Sequence, residues 1–327
     1  MGLVRATHGS RFRRRAGRLL LALAALLAVA AVVERRQEAT DFERYAGHET
    51  FADISGGARV RYRLLGTDQP GPTVVLLNGI NSCLEEWDPV QTGVARFAPV
   101  LAFDGAGTGF SSGASVHDAN GQADEIAQLV KAVGIQGKLV LVGYSASGSL
   151  ARVFAARHRE LSAGTVLLAP YLPEMDVLYP ERRSELRSYA RFLAVGTAEA
   201  LFGFRRAALH LGWLHAPHVP PTARDSRALA VQFRVPHWLA VDRQVLASKD
   251  SAEQALASHT GEPLLVLRSN KNDVPHYPEY VDQFTAAHHG ELRIIDGVEH
   301  SQLLTDARSV NNVVEGIQAL ASRTRSR

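Results

Sequence analysis

Two kinds of hydrophobic pattern run along this chain. The first is one uninterrupted apolar run, Leu19 to Val33, set between a basic cluster (Arg11, Arg13, Arg14, Arg15, Arg18) and Glu34-Arg35-Arg36. The second is a series of short blocks further on. Ala58–Leu64 alternates like a half-exposed strand. Val74–Leu77, Val100–Phe103, Leu139–Val142, Val166–Leu168 and Leu264–Leu267 are continuously apolar, and Leu292–Ile295 is apolar but for Arg293. Strands of that kind, spaced by helix-length stretches, predict an α/β fold with a mostly parallel sheet covered by helices on both faces.

The alternation breaks after Leu168. Ala169–Asp176 ends one strand, and the next strong strand begins only near Leu264. Between them, Glu185–Gly196, Thr197–Gly212 and Pro236–Leu246 read as helices, with a hinge or linker at His215–Pro221. The expected organisation is a leader at 1–36, a polar and partly helical linker at 37–50, a core at 51–170 and 251–327, and a helical insertion at 171–250.

The leader admits two readings. Its fifteen apolar residues fall short of the roughly 20 that span a bilayer core, but arginine side chains can snorkel and extend the segment. It is either a signal peptide with Ala28-Val29-Ala30 as its cleavage signal, or an uncleaved signal anchor. Continuation of the run through Val33 favours the anchor. The basic flank then stays cytoplasmic and the globular domain faces outward; with cleavage the domain is secreted.

Composition narrows the classes further. The 327 residues are 46% hydrophobic and 21% charged, enough for one sizeable core. Much of the +3 formal charge lies before Arg18, so the charge is a weak argument for nucleic acid, and no interleaved aromatic set or zinc-finger spacing supports it. Cys83 is the single cysteine, so there is no internal disulfide. No His-Glu-x-x-His or similar pair suggests a metal, and Gly105, Gly107 and Gly109 do not make a dinucleotide fingerprint. No cofactor is expected.

The chemistry concentrates at Val140–Gly148, a strand, a tight turn and a helix start with Ser145 at the tip. This is either a nucleophile elbow or an ordinary strand-to-helix turn. Gly143 and Ala146 supply the small neighbours an elbow needs, while Ser147 stands where the usual pattern has its last glycine. An acid and a histidine follow in the order that favours an elbow: Asp273 after the Leu264 block and His300 after the Leu292 block. A serine hydroxyl is a weak nucleophile until a base takes its proton. His300 is the candidate base, and Asp273 the group that holds its tautomer. Ser147 is a less suitable nucleophile inside the helix start. Asp104, Asp176 and Asp296 are the other acids considered, and Asp273 is preferred for its Asp-Val-Pro setting.

From Phe51 to the C-terminus these motifs resemble the α/β-hydrolase family. Val74–Ile80 is similar to the family's third strand and oxyanion loop, with Asn78-Gly79 where His-Gly is common. Asp104–Ser111 resembles the Asp-x-x-Gly-x-Gly-x-Ser loop, and Glu299 precedes the histidine where glycine is common. The resemblance implies an oxyanion hole from the N–H groups of Ala146 and Ile80, and identifies the 171–250 insertion as a helical cap. It implies a serine hydrolase of the carboxylesterase kind acting on an ester, thioester or similar acyl compound. Peptidase, amidase, lactonase and carbon–carbon bond hydrolase share the same core chemistry, and a non-catalytic ligand-binding protein is the rival class. A serine at the elbow argues against family members that use aspartate there. The cap residues Phe192, Leu201, Phe202, Phe204, Leu211, Trp213, Leu214, Phe233 and Trp238, with Trp87, are either packing or the wall of an apolar pocket; most are expected to pack. The expected partners are a small molecule with an apolar acyl group and, through an uncleaved leader, a membrane.

Overall fold

A computed structural model describes residues 7–113, 118–179, 191, 193, 195–213, 227–258, 263–271 and 274–324, with side chains from residue 13. Eight strands form one sheet: β1 (Thr50–Ile54), β2 (Ala58–Leu65), β3 (Thr73–Leu77), β4 (Val100–Phe103), β5 (Leu139–Tyr144), β6 (Ser162–Leu168), β7 (Leu264–Lys271) and β8 (Glu291–Glu299). Their order is β1-β2-β4-β3-β5-β6-β7-β8. β2 runs antiparallel to both neighbours and every other pairing is parallel. This is the α/β-hydrolase fold. All six apolar blocks are strands of this sheet, and Ala58–Leu64 lies within β2.

Strand periodicity divides the core into two layers. Val75, Leu77, Leu139 and Leu141 face one cluster, while Val74, Leu76, Val140, Val142 and Tyr144 face the other. The first layer is covered by helices Ala119–Ala132 (α3), Ser147–Arg157 (α4) and Tyr277–Ala287; the second by Asp88–Val94 (α2) and Ala307–Thr324. Strands buried on both faces have no polar side to display, which is why they read as unbroken apolar runs.

In the insertion, a helix at Val235–Leu246 matches the expected one closely. The expected helix Thr197–Gly212 is instead broken at Gly203 (φ 70), where a helix Phe204–His210 starts anew. A side chain at residue 203 would also meet the Glu34 carboxylate. Most of the expected helix Glu185–Gly196, and all of His215–Pro221, lie outside the described residues.

The N-terminal segment departs from expectation. One helix, α1, runs from Thr7 to Tyr45, so the stretch read as a linker from Gln37 is a continuation of the apolar segment. Arg13–Tyr45 is long and apolar enough to cross a membrane, and Leu19, Leu21 and Leu26 are exposed. Past the apolar run, from Glu34 on, the same helix turns a different face inward. Glu34, Glu38, Asp41, Phe42 and Tyr45 recur at helical spacing. Arg206 of the insertion binds Glu34 at 2.7 Å and Asp41 at 2.8 Å, and Arg234 lies 3.5 Å from Glu38. Phe42 and Tyr45 pack on a cluster with Cys83, Phe110 and Val231. The acidic residues made this stretch look like a solvated linker; their arginine partners lie more than a hundred positions away in sequence.

Truncation separates the two halves of α1. Removal of residues 1–30 should leave the thermal midpoint of the soluble domain unchanged. Removal through Ala46 should lower it by roughly 10 °C, since stripping one partner from a buried ion pair costs about 3–5 kcal/mol at roughly 2–4 °C per kcal/mol. Equal midpoints by calorimetry would mean the Glu34–Arg206 seam carries no stability.

Candidate active site

β5 ends at Tyr144 and α4 begins at Ser147, leaving two residues to turn the chain. Ser145 has φ 55, a left-handed conformation that costs a non-glycine residue about 1–2 kcal/mol. Three backbone hydrogen bonds hold it. Its N–H donates to Leu168 O at 3.0 Å, and its carbonyl accepts from Gly148 N at 3.0 Å and Tyr171 N at 2.9 Å. At about 1 kcal/mol each, they offset the strain. Gly143 and Gly148 have no room for a side chain, the first against the Ser147 carbonyl and the second against Pro170. The turn is therefore a strained corner, not an ordinary connection.

His300 sits in a short 3-10 turn just past β8. Its Nε2 lies 3.2 Å from Ser145 Oγ, within proton-transfer reach. Tyr144 supports it twice: the rings stack with centroids 5.0 Å apart, and the Tyr144 hydroxyl donates to the His300 carbonyl at 2.9 Å. Asp273 lies outside the described residues. The other acids are engaged elsewhere. Asp176 accepts from the Tyr171 hydroxyl, and Asp296 accepts from Asn270 at 2.8 Å. Asp104 accepts from Leu84 N and Phe110 N, at 2.9 and 3.0 Å, which ties the loop after β3 to the loop after β4.

Each departure from the common motif has a local cause. Ser147 donates its hydroxyl to the Asn78 carbonyl, joining the elbow to the loop after β3. Asn78 donates its amide to Phe103 O at 3.0 Å, at the end of β4. Glu299 makes a capping box with Gln302 that fixes the turn carrying His300.

A cavity of about 150 Å³ opens beside the elbow. Ile80 and Ala146 line it, with Leu77, Phe103 and Leu150 as apolar wall and Gln244, Ser248 and Ser251 from the insertion side. Ser145 and His300 are not among the lining residues, so the cavity extends from the side of the elbow that faces the loop after β3. None of the described aromatic and apolar residues considered as pocket wall lines it. Trp238 and Trp87 are buried packing, while Phe204, Leu211 and Trp213 are exposed; Phe192 and Leu214 lie outside the described residues. His237 and Asn81 also line the cavity, and the sequence reading passed over both because neither belongs to a recognisable motif. Among the described residues no group of three or more histidine, cysteine or acidic side chains is placed to hold a metal.

Beneath the loop after β3 lies a buried charged group. Arg61 binds Glu85 at 2.5 Å and Asp104 at 3.2 Å. Burial pushes the Glu86 carboxyl up to about 8, and the neighbouring Glu85 and Asp104 charges add to the effect. Burial also raises the Cys83 thiol, and Glu85 and Glu86 add to the effect, so Cys83 is a packed thiol and not a nucleophile.

The sequence model of the alpha/beta hydrolase fold matches residues 72–307. The chain belongs to the α/β-hydrolase family. No curated protein matches it. Among solved structures this hydrolase is similar to a thermophilic esterase from Thermogutta terrifontis, at TM-score 0.62 and 19% identity, covering 85% of this chain and 99% of that one. It is also similar to a carboxylesterase from the thaumarchaeon Nitrososphaera gargenis, at TM-score 0.62 and 17% identity, covering 84% and 99%. A Bacillus megaterium epoxide hydrolase aligns at TM-score 0.61 and 14% identity, covering 83% and 100%.

The raised Glu86 carboxyl makes stability depend on pH. From about 4.5, its ordinary value, to about 8, the unfolded chain gives up a proton that the folded state keeps, so stability falls as pH rises through that window. Glu86→Gln removes this dependence. Its thermal midpoint relative to the parent should be higher at pH 8 than at pH 5 by roughly 2–4 °C or more, the worth of about 1 kcal/mol. The same difference at both pH values would place the Glu86 carboxyl in its ordinary range.

Proposed function

We propose that this chain is a serine hydrolase cleaving an ester or related acyl bond, with Ser145 as nucleophile, His300 as general base and acid, and Asp273 as the acid that orients His300. The observation carrying this reading is the left-handed Ser145 with its hydroxyl 3.2 Å from Nε2 of a histidine stacked on Tyr144. In this reading Ser145 Oγ attacks the substrate carbonyl as His300 takes its proton. The N–H groups of Ala146 and Ile80 stabilise the oxyanion, and Ala146 gains from the positive end of α4. His300 returns the proton to the departing alkoxide, forming an acyl-enzyme. Water deprotonated by His300 then frees the acid.

The apolar wall of Leu77, Ile80, Phe103 and Leu150 supports an apolar acyl group. A cavity of about 150 Å³ is the size that accepts a benzene-sized guest, so the group is short. The exposed apolar half of α1 supports attachment to a membrane with the catalytic domain on the extracytoplasmic side, or secretion if the leader is cleaved.

The test is hydrolysis of a p-nitrophenyl ester series by the full-length protein in detergent, beside Ser145→Ala, His300→Ala and Asp273→Asn. Acyl groups up to about six carbons, the size the cavity accepts, should turn over best. Ser145→Ala and His300→Ala should each lower kcat by at least about 10³-fold. Turnover undiminished in Ser145→Ala would refute serine chemistry, and a steady rise in kcat/KM to long chains would refute the short pocket.

A further inference from the structure

The loop that supplies Ile80 is a tight turn held weakly by itself. Ser82 N–H donates to Gly79 O at 3.3 Å, the long end of the useful range, and Asn81 carries a left-handed φ of 59. That one bond sets the direction of the Ile80 N–H. The peptide between Gly79 and Ile80 is planar and trans, so its N–H points opposite to the Gly79 carbonyl. Whatever holds the turn closed aims the donor.

One short segment of the insertion grips this turn. Gln232 donates from Nε2 to Asn81 O at 3.3 Å, and His237 Nε2 lies 3.0 Å from Asn81 Oδ1. The same segment grips the neighbouring loop: Gly109 N–H donates to His237 Nδ1 at 3.1 Å, and Arg234 donates to Gly109 O at 3.0 Å. Because Nδ1 accepts, the ring proton is on Nε2, and His237 donates it to Asn81. A doubly protonated ring could not accept from Gly109.

We propose that Gln232–His237 is a clasp, and that His237 is the positioning residue through which seating of the cap on the core aims the Ile80 N–H at the developing oxyanion. This rests on the serine-hydrolase reading above. His237 is fully buried. Burial, with the nearby Arg234 and Arg205 charges, pushes its imidazole down to about 3. It stays neutral and takes no proton from substrate; it acts through Asn81.

The decisive experiment compares His237→Leu, His237→Gln and Asn81→Ala in the full-length protein. The readouts are kcat and KM on p-nitrophenyl butyrate, the Ki of an alkylboronic acid that forms a tetrahedral adduct on a serine, and the fraction of protein labelled by a fluorophosphonate. Losing one oxyanion donor outright costs about 10²–10³-fold in kcat, so a misaimed donor should cost about 10–100-fold. His237→Leu should show that loss in kcat per labelled site, with KM within about threefold and boronate affinity falling in parallel. His237→Gln should restore most of the activity, because its amide oxygen can accept from Gly109 and its amide nitrogen donate to Asn81. The double variant His237→Leu/Asn81→Ala should be no worse than His237→Leu alone, as expected for groups acting through one contact. Should His237→Leu fail to fold, Asn81→Ala and His237→Gln carry the same comparison. Unchanged kcat and boronate affinity in His237→Leu, additive losses in the double variant, or no rescue by glutamine would overturn the clasp while leaving the hydrolase reading intact. A parent protein that neither labels nor turns over any ester would overturn the hydrolase reading and the clasp with it.

Discussion

Everything at this site depends on a serine held in a backbone conformation that it does not favour. The left-handed Ser145 persists because its amide groups are claimed by the end of β6, by Tyr171 and by the first turn of α4. Strand alternation then does the rest. With Ser145 at the corner, Tyr144 falls on the same sheet face as Val140 and Val142, which is the face His300 reaches from the end of β8. The tyrosine beside Ser145 thus becomes the platform for His300. One strained residue, placed at a strand end, orders both partners.

The loops flanking that corner are held by charge, and charge inside a protein is expensive. Arg61 is fully buried on β2, between Glu85 after β3 and Asp104 after β4. Such a group adds little net stability over apolar residues of the same size, yet removing one partner costs about 3–5 kcal/mol. It ties the loops after β3 and β4 to one cation on β2. Glu86 solves the same problem differently, by keeping its proton.

Much of this was legible in the sequence. Strands β3 to β7 announced themselves because strands covered on both faces have no polar side, and the Ser145 and His300 loops followed from the ends of β5 and β8, the latter a part-exposed edge strand with Arg293 in its apolar block. The Asp104 loop was legible as well. β1 was not, since Thr50–Ile54 is a half-exposed edge strand with little apolar contrast. The departures from the common motif at Asn78, Ser147 and Glu299 remove no reacting group, and each side chain makes a hydrogen bond that holds a loop of the site. The wall of the cavity was less legible for a simpler reason. Aromatic residues in the insertion were the conspicuous candidates, yet bulk of that kind goes to packing, as Trp238 does against the backbone of Gly196, and smaller polar residues were left to face the cavity.

The largest gap between pattern and structure is the stretch after the apolar run. Glu34, Glu38 and Asp41 made it look solvated, because a sequence shows charges without their partners. In the fold they meet Arg206 and Arg234. Arg234 is the telling residue: one side of its guanidinium faces Glu38 of α1, and another nitrogen donates to the Gly109 carbonyl beside the site. It also lies over the rings of Phe42 and Phe110. A single buried cation is therefore shared by the N-terminal helix, the insertion and the loop after β4. A solvated tether would leave such a cation without its carboxylate, so the helix from Glu34 onward is part of the folded body.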